Sequence, residues 1–379
     1  MLQPDSPPQP SLPWRVGSAT VMGLVGSISR IFMFGANRTE VHGLDQFLEL
    51  LDERRDIDGR ERGLLTVSNH ISVVDDPMVW GALPFRHQFN PNNHRWSFGS
   101  YDICFTNKFE STFFTLGQVL PTHRNAHSAH GGIFQPTLTQ AVRLLSRPPF
   151  SRPFPHQSTA SNRPDRSPSS PDITDPFSSP HLTYSTNGID TFPAPSSYAS
   201  RRYAWLHIFP EGRVHQHPHK TMRYFKWGVA RLILEPDVCP DIVPMWIEGN
   251  DEVMHESREW PRFVPRVGKS LGIWFGDPIG GDKDTVFADL RSKWRELVAK
   301  KGNAIDEMGV LESEELRTGR EAEALRAECT RRMRNAVLRV RRARGLPDED
   351  PKDGLVETWR EEKGKGEGKM EDGSWEKDT

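Results

Sequence analysis

The chain has 379 residues, enough for one large domain or two small ones. Its mean hydropathy of −0.63 excludes a protein with many membrane spans. The formal net charge is −2, which argues against a nucleic-acid-binding protein that relies on bulk positive charge. The three cysteines are odd in number and far apart, so they provide neither a disulfide framework nor a CxxC metal site.

The first predicted element is a helix over residues 14–35, preceded by a Pro-rich segment, 1–13, that we expect to be disordered. Only 14 uncharged residues separate Arg15 from Arg30, whereas a membrane span needs about 20 apolar residues. One helical face would carry Trp14, Val21, Leu24, Val25, Ile28, Ile31 and Phe32. This pattern predicts a helix that lies in the membrane interface, with a docked core helix or a signal peptide as alternatives.

The next elements predict an α/β fold with a mixed sheet covered by helices, over residues 40–300. Apolar runs predict buried strands at 63–68, 205–209, 241–247 and 271–275, and helical spacing at 137–145 and 226–234 falls between them. Residues 146–200 contain 11 Pro and 13 Ser. Such a stretch buries too little apolar surface to offset its ordering entropy, so we expect a disordered insertion within the domain.

The C-terminal part begins with a helical pattern over 312–345, interrupted at Gly319. Its second half is rich in arginine, which predicts either a contact with anionic lipid or a solvated helix face. Residues 346–379 are charged and Gly-rich, and we expect a disordered, solvated tail.

The first candidate catalytic motif follows the strand at 63–68. His70 and Asp75 are separated by four residues, so a loop that turns into a helix would place the carboxylate against the imidazole. No Ser or Cys accompanies the pair, so His70 would act as a base on a hydroxyl of the substrate. Asp76 is an alternative partner for His70. Taken alone the pair is weak, because this composition gives about one such pair by chance.

The second motif ends the strand at 205–209 and reads Phe209, Pro210, Glu211, Gly212 and Arg213. It is more specific, since its first four letters are expected by chance only about 0.01 times. Gly212 would let the backbone approach a ligand closely. Arg213 and Arg124 would hold a phosphate, because guanidinium groups match phosphate oxygens. Glu211 would orient an arginine or accept a hydrogen bond from a glycerol hydroxyl.

These motifs belong to four blocks that occur in order: Asn69-His70 with Asp75, Leu116–Pro121 with Arg124, Phe209–Gly212, and Val243-Pro244. The order resembles the pattern of the glycerolipid acyltransferase superfamily. Longer strings, such as Thr66–His70, Asp102–Thr106, His207–Gly212 and Phe225–Gly228, are similar to the tafazzin family of phospholipid–lysophospholipid transacylases. The resemblance covers roughly residues 14–145 and 201–345. His123, Arg213 and His215 depart from the family's usual residues.

The resemblance implies a single glycerolipid-acyltransferase-like domain with His70 and Asp75 as the catalytic pair. It assigns substrate binding to Arg124, Phe209, Pro210, Glu211, Gly212, Arg213 and Pro244. The implied reaction moves acyl chains between phospholipids and lysophospholipids, with cardiolipin made from monolysocardiolipin, and it needs neither CoA nor a metal. The implied partners are these lipids and an anionic membrane surface, without nucleic acid; a homo-oligomer is left open. The implied location is mitochondrial, peripheral or monotopic on the membranes that face the intermembrane space.

Two alternative functions are open at this point. An acyl-CoA-dependent lysophospholipid acyltransferase, acting on 1-acylglycerol-3-phosphate, would use the same pair and the same second motif. A non-enzymatic metal- or lipid-binding module would use His215, His217 and His219, which alternate along the chain and could bind zinc if the segment is extended.

Overall fold

The structure is a computed structural model that describes residues 9–150, 182–281, 284–302, 307–360, 367–370 and 372–377. The strands are β1 (Arg38–His42), β2 (Leu64–Val67), β3 (Arg95–Ser100), β4 (Val119–Thr122), β5 (Thr183–Tyr184), β6 (Phe192–Pro193), β7 (Trp205–Ile208), β8 (Val214–Gln216), β9 (Asp241–Glu248), β10 (Ser270–Phe275), β11 (Ile279–Gly280), β12 (Gly368–Lys369) and β13 (Trp375–Lys377). The helices are α1 (Leu12–Ile31), α2 (Leu44–Glu53), α3 (Asp75–Gly81), α4 (Phe85–Gln88), α5 (Tyr101–Cys104), α6 (Lys108–Leu116), α7 (Pro136–Leu144), α8 (Gly228–Leu234), α9 (Asn250–Val253), α10 (Ala288–Lys301), α11 (Glu314–Thr318), α12 (Arg320–Ala343) and α13 (Val356–Arg360).

A mixed sheet forms the middle layer, with the order β1-β10-β9-β2-β7-β3-β4 and with β11 paired to β9. The strands β9, β2, β7, β3 and β4 are parallel to one another, whereas β10 is antiparallel to β9 and β1 runs with β10. The predicted α/β fold is therefore confirmed. Because β9, β2 and β7 are neighbours and parallel, the loops that follow them emerge at one edge of the sheet.

Helices cover both faces of this sheet, which explains why the central strands are continuously apolar. In β2, Leu64 belongs to a core that includes Phe47 of α2 and Trp80 of α3. The next residue, Leu65, points to the opposite face and belongs to a core that includes Val229 of α8 and Leu290 of α10. The alternation of a strand's side chains thus divides one apolar run between two cores.

Helix α1 presents one apolar stripe to solvent, whereas its inner face combines small and polar residues with the large apolar side chains of Trp14 and Met22. The exposed stripe consists of Leu12, Val16, Leu24, Ile28, Ile31 and, in the π-helical turn Phe32–Ala36, Phe34. The buried face includes Ser18, Gly23, Gly26 and Ser29. Among the described residues, Leu12–Ala36 is long and apolar enough to cross a membrane, a test that a core helix or a signal sequence also passes.

The helix predicted at 14–35 is present, but the predicted apolar face was partly wrong. Trp14 is buried and stacks on Trp96 with ring centres 6.4 Å apart. The helix begins at Leu12, so the expected disorder over 1–13 is wrong for its last two residues. Residues 1–8 lie outside the described residues.

The predicted disorder over 146–200 is wrong for residues 182–200, where β5 and β6 form a hairpin. Phe192 is buried against Tyr101 and Phe105, and Thr186 hydrogen-bonds His123 at 2.8 Å. A few aromatic anchors are enough to order the segment, although its average composition is polar. Residues 151–181 lie outside the described residues.

The C-terminal region is also more ordered than predicted. The long helical pattern divides at Gly319 into α11 and α12, as expected, but Arg326, Arg334 and Arg341 of α12 are buried rather than solvated. Arg334 donates to Glu349 at 2.7 Å. In the expected tail, β13 pairs with β8, and Glu376 is buried. Buried basic groups need anionic partners, and the tail supplies them.

Candidate active site

The loop that follows β2 carries the first motif and is anchored by Asn69. The side-chain amide of Asn69 donates to the carbonyl of Ile247 at 2.9 Å, and its oxygen accepts from the Ile247 amide at 2.8 Å. This two-bond clamp ties the loop to β9, the neighbouring strand. His70 therefore leaves the sheet edge at a defined angle.

His70 and Asp75 are in direct contact. The Nδ1 atom of His70 lies 2.8 Å from Oδ2 of Asp75, whose side chain is completely buried, while the imidazole is slightly exposed. Asp75 opens α3, so the turn from loop to helix brings the two side chains together as the spacing predicted. With Nδ1 held by the carboxylate, Nε2 is the ring nitrogen that a general base of this kind would use.

The Asp75 carboxylate is held from several directions. Its Oδ2 accepts from the amides of Ile71 and Ser72 at 2.7 and 2.8 Å, and its Oδ1 accepts from the Asn250 side chain at 2.9 Å. These bonds fix the carboxylate and, through it, the imidazole. Asn250 follows β9 and was not predicted from the sequence. The sequence feature that could have indicated it is its position just after a strand that ends at the same edge of the sheet.

Asp76, the alternative partner, faces elsewhere. It hydrogen-bonds Trp80 Nε1 at 3.1 Å and forms an ion pair with Arg95. Burial alone would raise the pKa of Asp76, but the Arg95 charge and these hydrogen bonds lower it below its usual range. Asp76 therefore stabilises the packing of α3 on β3 and leaves His70 to Asp75.

Glu211 braces the loop that carries His70 through hydrogen bonds to two backbone amides. Its Oε1 accepts from the His70 amide at 2.8 Å, and its Oε2 accepts from the Arg223 amide at 2.9 Å. Burial raises the pKa of Glu211 to about 7. The expected role of Glu211 toward an arginine side chain or a glycerol hydroxyl is not what the structure shows, because two backbone amides occupy its oxygens.

Aromatic rings pack around the His70 imidazole. Phe209 stacks on His70 with ring centres 4.4 Å apart, and His207 packs edge-on beneath Phe209. Burial lowers the pKa of His207 to about 3, so this ring is neutral near neutral pH. His207 lies 2.8 Å from Thr66 Oγ1 and has a structural role inside the sheet.

The glycine of the second motif is required by its backbone. Gly212 has a φ of +62°, and a Cβ there would lie 2.6 Å from Nζ of Lys226. Lys226 donates to the Gly212 carbonyl at 3.0 Å. Only glycine combines this left-handed conformation with the close approach of the lysine. Pro210, beside it, is buried, and its carbonyl accepts from the Lys226 amide at 2.7 Å.

The other predicted binding residues, Arg124, Arg213 and Pro244, each have separate contacts. Arg124 follows β4 and donates to Asp102 at 3.1 Å, which lowers the pKa of Asp102. Arg213 lies 3.7 Å from Glu376 of the tail. Pro244 is buried within β9 opposite Val67, so it supports the sheet beneath the loops.

The histidines that suggested a zinc site have separate partners. His215 Nδ1 bonds Glu376, and His217 lies 3.8 Å from Asp372. In the part of the chain that the structure describes, no cluster of three His, Cys, Asp or Glu residues has the arrangement of a metal site.

No family model matches the chain. Tafazzin of Saccharomyces cerevisiae is 32% identical over 353 residues, which cover 91% of this chain and 83% of that protein. Tafazzin of Drosophila melanogaster is 28% identical over 284 residues, which cover 75% and 56%. A crystal structure of the 1-acyl-sn-glycerophosphate acyltransferase PlsC of Thermotoga maritima aligns with a TM-score of 0.37 at 12% identity, covering 74% of this chain and 77% of that one.

A histidine whose imidazole is held by a buried carboxylate suits the transfer of an acyl group to a hydroxyl that the substrate brings. The fold and the site thus define an acyltransferase. The identity with the yeast protein, over nearly the whole chain, shows that the chain belongs to the tafazzin family.

Proposed function

We propose that the protein exchanges acyl chains between phospholipids and lysophospholipids without CoA, and that it makes cardiolipin from monolysocardiolipin. The observation that carries this proposal is the His70–Asp75 pair, 2.8 Å apart at the sheet edge, in a chain of the tafazzin family. The base can activate a lipid hydroxyl, and an ester of a second lipid can supply the acyl group.

The reaction needs one group that first removes a proton and then returns it. His70 Nε2 takes the proton of the lysolipid hydroxyl, and the oxygen attacks the carbonyl carbon of the donor ester. The tetrahedral intermediate collapses by breaking the bond to the donor's glycerol oxygen, which takes the proton from the imidazolium. Asp75 stabilises the imidazolium throughout. One ester is exchanged for another, so the free energy change is near zero and no activated donor is required.

The lipid phosphates are expected near the arginines of the same edge. Arg213 follows the second motif, and Arg124 follows β4; both now pair with carboxylates that a phosphate would replace. Phe209 and the backbone at Pro210 and Gly212 would line the path of the glycerol to His70, whose ring already stacks on Phe209.

The exposed apolar stripe of α1 supports a location in the membrane interface. Leu12, Leu24 and Ile28 are among the apolar side chains of α1 that face solvent, and such a stripe suits a lipid environment better than water. We place the protein in mitochondria, peripheral or monotopic on membranes that face the intermembrane space, where cardiolipin supplies an anionic surface. This placement rests on family membership and on α1.

A lipid exchange assay without CoA tests the proposal. Purified protein is given vesicles of labelled phosphatidylcholine and monolysocardiolipin, and the transfer of label to cardiolipin is measured. We expect turnover with the wild type, none above background with His70→Ala, and wild-type turnover with His130→Ala, which changes an exposed histidine. Turnover that appears only after acyl-CoA is added would instead identify a CoA-dependent acyltransferase.

A further inference from the structure

A loop far from α1 in sequence also presents apolar side chains to solvent. It spans residues 258–269, between α9 and β10, and is named here the Trp260 loop. Trp260 is 85% exposed, Phe263 75% and Val267 63%. Large exposed side chains that lie together usually mark a contact surface, because water disfavours such a cluster.

The Trp260 loop is held in place by a buried arginine. The guanidinium of Arg258 donates to the carbonyls of His255 and Arg262 at 2.7 and 2.5 Å, and it lies 3.6 Å from Glu256. These bonds fix both ends of the turn that carries Trp260. The turn that exposes Trp260 and Phe263 is therefore held in a defined conformation.

The loop ends beside the exposed stripe of α1. The Gly268 amide donates to the Ala36 carbonyl at 2.8 Å, and the Arg38 amide donates to the Lys269 carbonyl at 2.8 Å. Lys269 also donates its amide to Asn37 Oδ1 at 2.9 Å. Ile31 and Phe34 are the last exposed apolar residues of that stripe, so the C-terminal end of the stripe and the C-terminal end of the loop are joined through these hydrogen bonds.

Charge distinguishes the partner of this surface. Apart from the buried Arg258, which is paired with Glu256, the loop carries three cations, Arg262, Arg266 and Lys269, and one anion, Glu259. Arg262 and Lys269 also lie 3.6 and 3.7 Å from a carboxylate. Basic residues around exposed aromatic ones favour a bilayer with anionic headgroups, in which Trp lies at the level of the headgroups. The loop is also connected to the site, because it continues from α9, whose Asn250 holds Asp75.

We propose that the Trp260 loop is a second membrane contact, which binds the headgroup region of an anionic bilayer while α1 lies in the same interface. Two contacts fix the orientation of a protein on a surface, whereas one helix permits rotation about its axis. The proposal rests on the membrane placement of α1 but not on the reaction, so binding assays test it separately from activity.

Vesicle sedimentation tests the loop directly. Full-length protein is mixed with phosphatidylcholine vesicles that contain either no anionic lipid or 20% cardiolipin. Trp260→Ala/Phe263→Ala should weaken binding to the cardiolipin vesicles about 10-fold, as expected for two interfacial aromatic side chains. Leu355→Ala, which truncates an exposed leucine elsewhere, should bind as the wild type does. Unchanged binding of the double variant would overturn the proposal.

A charge reversal tests the anionic partner. Arg262→Glu/Arg266→Glu should lose binding to cardiolipin vesicles, whereas Lys300→Glu/Lys301→Glu at the end of α10 should retain it. Equal losses in the two variants would show that only net charge matters and would overturn the site. Sedimentation velocity without lipid adds a further check: a wild-type dimer that the Trp260→Ala/Phe263→Ala variant dissociates would assign the surface to a second copy of the chain and overturn the lipid contact.

An independent observation concerns the tail. Glu376 of β13 is 1% exposed and bonds the Nδ1 atom of His215 and the guanidinium of Arg223. Arg213 lies 3.7 Å from the same carboxylate. The centre of the Trp359 ring lies 4.4 Å from the guanidinium carbon of Arg223, so the ring covers that guanidinium group.

This basic pocket is tied to the catalytic loop. The His215 amide donates to the His70 carbonyl at 2.8 Å, and the Arg223 amide donates to Glu211 at 2.9 Å. Guanidinium groups that bind a carboxylate match phosphate oxygens equally well. A carboxylate from the chain's own C-terminal region thus fills a pocket that would suit an anionic lipid headgroup.

We infer that Glu376 holds the position of a phospholipid phosphate, so that the tail and the lipid compete for the pocket. This inference rests on the proposed function, because the lipid in question is a substrate. When lipid binds, β13 leaves β8 and Trp359 uncovers Arg223. The tail then acts as a lid that lowers the affinity for lipid until a phosphate displaces it.

The test uses the full chain with a soluble probe, dibutyryl phosphatidic acid, and measures its affinity by titration calorimetry. Glu376→Gln should bind the probe roughly 10-fold more tightly than the wild type, because a charged competitor is removed. Glu357→Gln, which removes an exposed charge from α13, should not change the affinity. Hydrogen exchange at residues 375–377 should accelerate when the probe is added.

The outcomes separate the lid from a structural strap. Unchanged affinity in Glu376→Gln, or weaker affinity with a lower melting temperature, would show that the tail only stabilises the domain and would overturn the lid. Tighter probe binding in a protein that shows no lipid exchange would support the lid and contradict the proposed function.

Discussion

Two loops leave the same edge of the sheet from adjacent parallel strands, yet they have different tasks. The loop after β2 carries His70 and Asp75, whose side chains bond each other. The loop after β7 carries Glu211, whose side chain bonds only main-chain amides in the contacts described above. Acidic residues thus occur in both motifs, but one holds the His70 imidazole and the other holds main-chain amides.

Because of this difference, we expect substitutions in the two loops to affect turnover and thermal stability differently. Substitutions of His70 or Asp75 should strongly reduce turnover and change the melting temperature little. Substitutions in the second loop should reduce both, because a braced backbone serves the fold and the site together.

The largest effect is expected for Asp75→Asn. Without the carboxylate the imidazole loses its orientation and its charge partner, so turnover should fall roughly 10²- to 10⁴-fold. The comparison is Asp76→Asn, which weakens the ion pair with Arg95 and should cost about 1–3 kcal/mol of stability with turnover largely retained. Lipid exchange and thermal unfolding measure both. Equal losses of turnover in the two variants would contradict the assignment of Asp75.

A smaller effect is expected for Gly212→Ala, which forces a Cβ toward Lys226 at a φ of +62°. The left-handed strain should cost about 1–2 kcal/mol, and displacement of the loop should lower turnover about 10-fold. Gly188→Ala is the matched control, since Gly188 also has a positive φ but no neighbour within 4 Å. The Gly188→Ala variant should lose stability but keep its turnover. Full turnover in the Gly212 variant would place the substrate away from this loop.

Asn250→Ala should have a moderate effect on turnover. Loss of the donor to Asp75 Oδ1 leaves the carboxylate less firmly held, so the imidazole is less well oriented and turnover should fall about 5-fold. Asn93→Ala removes a buried amide that donates to the Leu51 carbonyl at 2.8 Å, and it should lower the melting temperature without lowering turnover. Unchanged turnover in the Asn250 variant would limit that residue to packing.

The smallest effect is the pH dependence that Glu211 adds to stability. Burial raises its pKa to about 7, so between its ordinary value near 4.5 and about 7 the folded state holds a proton that the unfolded state has released. The contribution of Glu211 to the free energy of unfolding therefore declines as pH rises through this range. The melting temperature of the wild type should therefore fall relative to that of Glu211→Gln as pH rises from 5 to about 7, because the variant does not titrate at this position. Parallel curves from pH 5 to pH 8 would contradict the raised pKa.

Much of the fold could be predicted because its central strands are apolar runs. β2, β7, β9 and β10 were expected within one or two residues of their observed bounds. β3 was missed because Arg95, Ser97 and Gly99 interrupt its hydrophobic pattern, although neighbouring strands and helices bury most of it. The ordered hairpin at 182–200 was missed because averaging over Pro and Ser conceals anchors such as Phe192.

The site was predictable only where its partners are close in sequence. His70 and Asp75 are five residues apart, so helix geometry alone suggests their contact. Asn250 is 175 residues from Asp75, and Glu376 is 161 residues from His215; no local pattern connects such pairs. Their positions follow from the order of the strands, which a single sequence does not reveal.

Helix α1 has a consequence for the order in which the molecule is assembled. Its inner face docks on α3, α4 and α6, which are encoded after it: Gly23 lies against Phe89, and Ser18 hydrogen-bonds the Leu116 carbonyl. A growing chain therefore exposes α1 before its docking partners exist. A lipid surface can bind the apolar side of the helix at that stage, and the rest of the domain would then close over the side that faces away from the bilayer.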